Sequence, residues 1–291
     1  MREMKEMPAR TIEEQKKDAV RCGVCWRHCL IPEGGSGYCR ARTTKDGVVV
    51  AENYGKLTSL ALDPIEKKPL SRFHPGYLIL SAGSYGCNMA CPFCQNYEIA
   101  HDARGKRRSV NVTPGELVEK ALALRHRGNI GIAFTYNEPL VCYEFVRDTA
   151  ALARIEGLET VVVTNGQIES EPLEELLPLI SAWNIDLKSF NSEAYKKLGG
   201  RLDVTCRTIE RAAQTAHVEV TTLVVPGLSD DEEEMDREAA YLASIDQDIV
   251  LHLSRYFPCW QYDVPATPRE TLFRLRDIAK KHLPYVFLGN I

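Results

Sequence analysis

From Tyr77 to the end of the 291-residue chain one pattern recurs: a short apolar, β-branched run, then a longer amphipathic stretch. The runs 77–81, 130–135, 160–164, 182–187, 218–225, 249–253 and 285–288 read as strands buried on both faces. Helix signals lie between them. The stretch 114–127 has Thr113 as N-cap, Pro114 at the first helical position, Glu116 three residues after the cap, and Gly128 as a stop. A second helix, 144–156, ends at Gly157, and a shorter one covers 173–180. Ser229 is predicted to cap a further helix whose first turn carries Asp230, Asp231 and Glu232 against the positive end of the dipole. Such alternation builds parallel βαβ units. Roughly six of them, with no Gly-rich dinucleotide fingerprint after the first strand, suit an α/β barrel better than a doubly wound sheet.

Residues 1–75 depart from that pattern and are expected to form a separate N-terminal module, with the barrel over 76–291. They hold Gly34, Gly35 and Gly37, and Asp46-Gly47 marks a hairpin between 41–44 and 48–51. They also hold Cys22, Cys25, Cys29 and Cys39, four of ten cysteines. Cys87, Cys91 and Cys94 form a second group, while Cys142, Cys206 and Cys259 stand alone. Close clustering without an export signal points to metal ligation rather than disulfides. Cys142 and Cys206 read as small buried hydrophobes. The charge balance, 36 Lys+Arg against 40 Asp+Glu, supplies no general attraction to nucleic acid or anionic lipid. No run approaches the ~18 apolar residues of a membrane span, and the first 17 residues are charged without a signal-peptide apolar segment. A cytoplasmic protein that binds neither membrane nor nucleic acid is expected. The basic run Arg104, Lys106, Arg107 and Arg108 reads as a solvated loop rather than an RNA or anion contact.

The second cysteine group has the spacing C-x3-C-x2-C and follows the first barrel strand directly. Three thiolates on so short a loop can wrap one face of an iron–sulfur cube, and no nearby fourth thiolate completes it. One iron then stays open to an outside ligand. The competing reading is a structural zinc site completed by His101. The N-terminal group, C-x2-C-x3-C-x9-C, offers four thiolates, enough to close a site; zinc and an auxiliary [4Fe-4S] cluster are both compatible, and His28 is a substitute for one thiolate.

Gly86 through Asn96 resembles the cysteine motif of the radical S-adenosylmethionine (SAM) superfamily. Together with Cys22–Cys39 and the run Asp63-Pro64-Ile65-Glu66-Lys67-Lys68-Pro69-Leu70, it resembles the AmmeMemoRadiSam-system radical SAM enzymes, relatives of the pyruvate formate-lyase activating enzymes. The resemblance implies an α/β fold, a partial (β/α)6 TIM-like barrel of the radical SAM type with a small N-terminal four-cysteine metal-binding module. It implies a [4Fe-4S] cluster on Cys87, Cys91 and Cys94, and SAM contacts at the strand ends, where barrel chemistry collects. Glu138, with Asn137, takes the place of the family's ammonium-binding element; Asn165 is assigned to ribose or carboxylate; Asp186 and Lys188 lie near the SAM carboxylate; the backbone at Val225 flanks adenine. Each has a structural alternative: a helix-capping turn at Asn137–Glu138, an ion pair for Asp186–Lys188. Ser254, Arg255 and Tyr256 are expected on the substrate side, although an aromatic closing loop explains them too. Cys259 is a hydrogen-atom donor or a buried structural thiol.

The activity so implied is reductive cleavage of SAM to a 5′-deoxyadenosyl radical that abstracts hydrogen from a small-molecule or partner-bound substrate. Implied partners are an external electron donor of ferredoxin or flavodoxin type, and AMMECR1-like and Memo-like proteins. Two alternatives remain: a glycyl-radical-enzyme activase, disfavoured by the lack of ferredoxin-like cysteines in residues 95–141, and a non-catalytic zinc-stapled binding protein.

Overall fold

The computed structural model describes residues 19–101 and 108–291, so Arg104, Lys106, Arg107 and the first 17 residues lie outside the described residues. The N-terminal module is built from short pairs. Strand β1 (Val20–Arg21) pairs with β2 (Leu30–Ile31), and β3 (Arg42–Lys45) with β4 (Val48–Ala51). The latter hairpin turns at Asp46 and Gly47, both at positive φ, as a two-residue Asp-Gly loop requires. β5 (Lys56–Leu57) follows.

The central sheet has eight strands. β6 (Ser59–Pro64) runs antiparallel to β7 (Leu78–Gly83); a short β8 (Val110–Asn111) leaves to pair with β5. Then come β9 (Asn129–Phe134), β10 (Glu159–Thr164), β11 (Ala182–Asp186), β12 (His217–Val224), β13 (Val250–Arg255) and β14 (Val286–Gly289), in the spatial order β14-β13-β12-β11-β10-β9-β7-β6. The pairings from β7 through β14 are parallel. All seven strands expected from the sequence are present. β6 and β14 are opposite edges of the sheet, so the barrel is open. β6 falls within residues 1–75 yet belongs to this sheet; its Asp63 and Pro64 do not read as strand.

Helices follow the local signals. Helix Pro114–Ala123 has the full capping box between Thr113 and Glu116. Helix Glu232–Ile245 corrects one expectation: its N-cap is Asp231, which accepts from the Glu234 N–H at 2.7 Å. The Ser229 hydroxyl instead donates to the Leu223 carbonyl and accepts from the Val225 N–H, closing the turn after β12. Among the described residues no helix is long and apolar enough to cross a membrane.

Alternation along the strands divides the core. Leu80, Ile132, Val162, Trp183, Val220 and Leu251 pack in the large cluster with the helices. Ile79, Ala133, Val161 and Ala182 point to the other face and meet Ile65, Leu70 and Phe73. The connection from β6 to β7 therefore lies across the sheet and covers it. Polar pins hold it there. Asn184 Nδ2 donates to the Pro69 carbonyl, and the Ser71 and Arg72 amides donate to the carboxylate of Glu219 at 2.9 and 2.8 Å. Glu219 also accepts from His217 (2.9 Å) and His252 (2.5 Å).

Burial alone would raise the Glu219 pKa, but these four donors outweigh it and bring it down to about 2 from 4.5. A lowered carboxylate pKa stabilises the fold above the unfolded value, and that stability disappears as pH falls through the folded one. Glu219→Gln is expected to cost on the order of 3 kcal/mol at neutral pH. In urea titrations across pH, the wild-type advantage should shrink between pH 4.5 and about 2. An advantage that is independent of pH would contradict this role.

Candidate active site

The loop that leaves β7 is held from several directions. Ser84 N–H donates to Asn137 Oδ1 at 2.9 Å, and Asn137 Nδ2 donates to the Gly86 carbonyl at 3.1 Å. Gly86 sits at φ +92°, and a Cβ there would lie 2.6 Å from the Cys39 carbonyl oxygen and 2.7 Å from Ala41 Cβ. Asn88 donates to the Gln167 carbonyl (2.8 Å) and accepts from Asn165 Nδ2 (2.9 Å). Arg27 of the N-terminal module donates Nε to the Asn88 carbonyl at 2.8 Å and Nη2 to that of Gly199 at 2.5 Å. On the far side Gln261 N–H donates to the Pro92 carbonyl, and Phe93 meets Tyr256 and Tyr262 edge-on.

Cys87, Cys91 and Cys94 share this loop, none is in a disulfide, and the charges of Cys91 and Cys94 act on Cys87. Burial pushes all three thiols up: Cys91 to about 11, and Cys87 well above the ordinary thiol value, with Glu138 adding repulsion. Lys188 opposes that at Cys91 and Cys94. Met89 N–H and Asn165 Nδ2 point at Cys87 Sγ, at 3.4 and 3.7 Å. The loop thus brings three thiols together, and the charge of Cys259 acts on Cys94 as well. His101 does not join them. Its Nδ1 faces Arg40 Nη1 at 3.1 Å and its ring stacks on Trp260. Among the described residues no three His, Cys, Asp or Glu side chains converge as ligands of a single ion.

Around the loop stand the strand ends. Glu138 is 4% exposed; its Oε1 accepts from Thr164 Oγ1 (2.6 Å) and Leu140 N–H (3.0 Å), its Oε2 from Asn165 N–H (2.8 Å). Burial raises its pKa to about 7, against these donors, and Asp186 adds to the rise. Glu138 and Asp186 are therefore electrostatic neighbours. Lys188 Nζ meets Asp186 Oδ2 at 2.7 Å; burial opposes the lysine's charge, but Asp186 and Cys91 more than offset it and raise its pKa. Thiols, carboxylates and ammonium share one electrostatic neighbourhood.

The remaining expected residues are placed differently. Asn137 spends its side-chain amide on the loop, and its Nδ2 also reaches the Glu138 carbonyl. At Val225 the side chain is buried in the core, the N–H goes to Ser229 and the carbonyl to Leu228 and Ser229. Tyr256 is buried, with its hydroxyl on the Tyr262 carbonyl, so it supports the cysteine loop from below. Arg255 donates Nε to the Thr267 carbonyl and lays its guanidinium over Phe257, and Ser254 lies beside it, half-buried. Cys259 Sγ approaches the Cys94 carbonyl at 3.7 Å. Arg27 and Gln261 carried no sequence signal, because their role is backbone contact between distant segments.

Cys22, Cys25, Cys29 and Cys39 line one pocket with Arg27, Arg42 and Val141. His28 is turned elsewhere: Nδ1 is 3.4 Å from the Cys22 carbonyl and Nε2 3.4 Å from Glu169.

A family model described as the radical SAM superfamily matches residues 82–239, more than half of the chain. The protein MJ0808 of Methanocaldococcus jannaschii is 40% identical over 284 residues, 96% of this chain and 84% of that one. Pyruvate formate-lyase 1-activating enzyme of Escherichia coli is 32% identical over 161 residues, covering 52% of this chain and 63% of the enzyme, under two thirds of its length. Among solved structures, Streptococcus suis SuiB bound to S-adenosylmethionine aligns with TM-score 0.55 at 16% identity, over 70% of this chain and 48% of that one. A radical SAM methyltransferase from Sphaerobacter thermophilus aligns with TM-score 0.51 at 17% identity, over 74% and 67%. These two likenesses bear on the fold.

Gly86→Ala tests the docking of the loop. It should cost ~2 kcal/mol or more through backbone strain and the collision with Cys39, and it should lower the iron retained after reconstitution. Wild-type stability and iron content would contradict the close approach.

Proposed function

This chain belongs to the radical SAM superfamily, and from that membership and the geometry of its thiol loop we propose that it is an enzyme holding a [4Fe-4S] cluster on Cys87, Cys91 and Cys94 and binding SAM beside it. A cluster held by these thiols with SAM beside it would supply radical chemistry, the 5′-deoxyadenosyl radical that could take a hydrogen atom from the substrate. The observation that carries the reading is the three half-buried thiols on one loop, with Glu138 and the Asp186–Lys188 pair acting on them.

The chain's own residues bind and orient. Glu138, whose pKa burial raises to about 7, gains a counter-charge when the ammonium of SAM arrives and is drawn to its anionic form. Thr164, Leu140 and Asn165 hold that carboxylate, so the ammonium meets a fixed acceptor. Lys188 complements thiolate charge at the loop and is positioned for a carboxylate, with Asp186 holding its ammonium. Asn165, anchored through Asn88, offers an amide next to Cys87. The aromatic packing of Phe93, Tyr256 and Tyr262 shields the loop from water.

The substrate is proposed as a small molecule or a group on a partner protein, with AMMECR1-like and Memo-like proteins as partners and a ferredoxin or flavodoxin as donor. The N-terminal thiol pocket is proposed to hold a second metal centre. The likeness to the E. coli activating enzyme favours a second reading, formation of a glycyl radical on a partner enzyme. A persistent glycyl signal in electron paramagnetic resonance after incubation with SAM and a partner would select it.

The test is anaerobic reconstitution with iron and sulfide, reduction in the presence of SAM, and assay of 5′-deoxyadenosine. Wild type should form it. Cys87→Ala should lower the rate by about 100-fold or more while the chain stays folded. Glu138→Gln should keep its iron and weaken SAM binding by about tenfold or more, the loss of one charge-assisted contact. A colourless protein that forms no 5′-deoxyadenosine would overturn the proposal and favour a zinc-stapled binding protein.

A further inference from the structure

Four thiols share the N-terminal pocket. Its four cysteines are free of disulfides, and Cys22, Cys25 and Cys39 are buried. Amide donors already aim at the sulfurs: Arg27 N–H at Cys25, Tyr38 N–H at Cys29 (3.5 Å), and the Ala41 and Arg42 amides at Cys39. Arg27 and Arg42 line the same space, the Arg27 guanidinium being spent on the Asn88 and Gly199 carbonyls. That of Arg42, 4% exposed, spends its Nη atoms on Glu144 and the Val141 carbonyl, which leaves the buried Nε without a partner. A buried donor with nothing to bond is costly unless something in the pocket accepts it. A cluster of four iron, four sulfide and four thiolate groups, anionic in both redox states, is such an acceptor.

The pocket also touches the other site through the backbone. The carbonyl of Cys39 lies against Gly86, which precedes Cys87 in the chain. Tyr85 packs with Cys39, Ala41 and Val141, and Arg27 joins the pocket wall to the Asn88 carbonyl. At the opposite edge Cys29 is only half-buried, beside the exposed side chains of Leu30 and Tyr38. One side of the pocket faces solvent and the other abuts the cysteine loop.

We propose that Cys22, Cys25, Cys29 and Cys39 hold a redox-active [4Fe-4S] cluster that relays single electrons from an external donor to the cluster at Cys87, Cys91 and Cys94, through the contact of Cys39 with Gly86. The relay rests on the function proposed above. A one-electron protein donor of the flavodoxin or ferredoxin class is oxidised by one electron and the N-terminal cluster is reduced. That cluster returns to its oxidised state as the second gains the electron, and no bond or proton changes hands.

Iron and zinc analysis of the reconstituted wild-type chain comes first. About eight irons per chain and no zinc is expected; about four irons with one zinc overturns the proposal. The dithionite-reduced wild type should give an electron paramagnetic resonance spectrum broadened by two interacting spins, and a single isolated signal would also overturn it. Both readings use the intact chain, so they stand whatever the variants do. Rates of 5′-deoxyadenosine formation then compare flavodoxin plus its reductase with titanium(III) citrate, a small reductant. In the double variant Cys22→Ser, Cys25→Ser, the ratio of the flavodoxin rate to the titanium rate should fall about tenfold or more. An unchanged ratio sinks the relay. Absence of product from wild type with titanium sinks the proposed function instead, while the iron count still reports on the N-terminal cluster.

Discussion

Burying a thiol where its anion is expensive is the constraint around which this molecule is organised. Cys87, Cys91 and Cys94 are all pushed up by burial, Cys91 to about 11, so at neutral pH the bare loop does not carry three thiolates. A cationic centre would remove the penalty, and the surroundings already act on that charge. Lys188 lowers the cost at two of the sulfurs, and amide groups approach the third. Such a loop cannot be soft. Its conformation is set by polar contacts to Asn137, Gln167, Asn165 and Arg27, which come from other segments of the chain.

The open sheet makes this arrangement possible. β6 lies antiparallel at one edge and its connection to β7 crosses the sheet face, anchored by Glu219 and Asn184. The ends of β7, β9, β10 and β11 thereby supply the loop, Glu138, Asn165 and Asp186 to one place. Asp63, at the start of that connection, is held by Lys68 and by the hydroxyl of Tyr136, which stands next to Asn137. The crossing segment is thus tied to the same strand end that grips the cysteine loop.

Much of the fold was legible because it is encoded locally. Apolar runs found all seven parallel strands, Asp46-Gly47 found its hairpin, and Thr113 with Glu116 found a capping box. Ser229 misled because two capping residues lie two positions apart; Asp231 is the one adjacent to the helix, and the serine serves the preceding turn. β6 was missed because its register partner, not its own composition, makes it a strand. At the site, residue type told more than residue role. Glu138 caps the turn Pro139–Cys142 and Asp186 pairs with Lys188, the structural roles their sequence also offered, and both groups act electrostatically on the cysteine loop. Asn137 and Tyr256 turned out to support the loop rather than face open space, a difference set by side-chain direction and distant contacts. Arg27 acts through the backbone carbonyls of Asn88 and Gly199, which no motif displays.

Mössbauer spectroscopy of iron-57-loaded protein, recorded before and after addition of SAM, goes most directly to the central claim. In the proposed reading the Cys87 loop would supply three thiolates and leave one iron of its cluster without a protein thiolate. On this account one iron site of that cluster shifts when SAM binds, toward a more ionic environment with added nitrogen and oxygen ligands. Spectra that do not change on addition of SAM would contradict it.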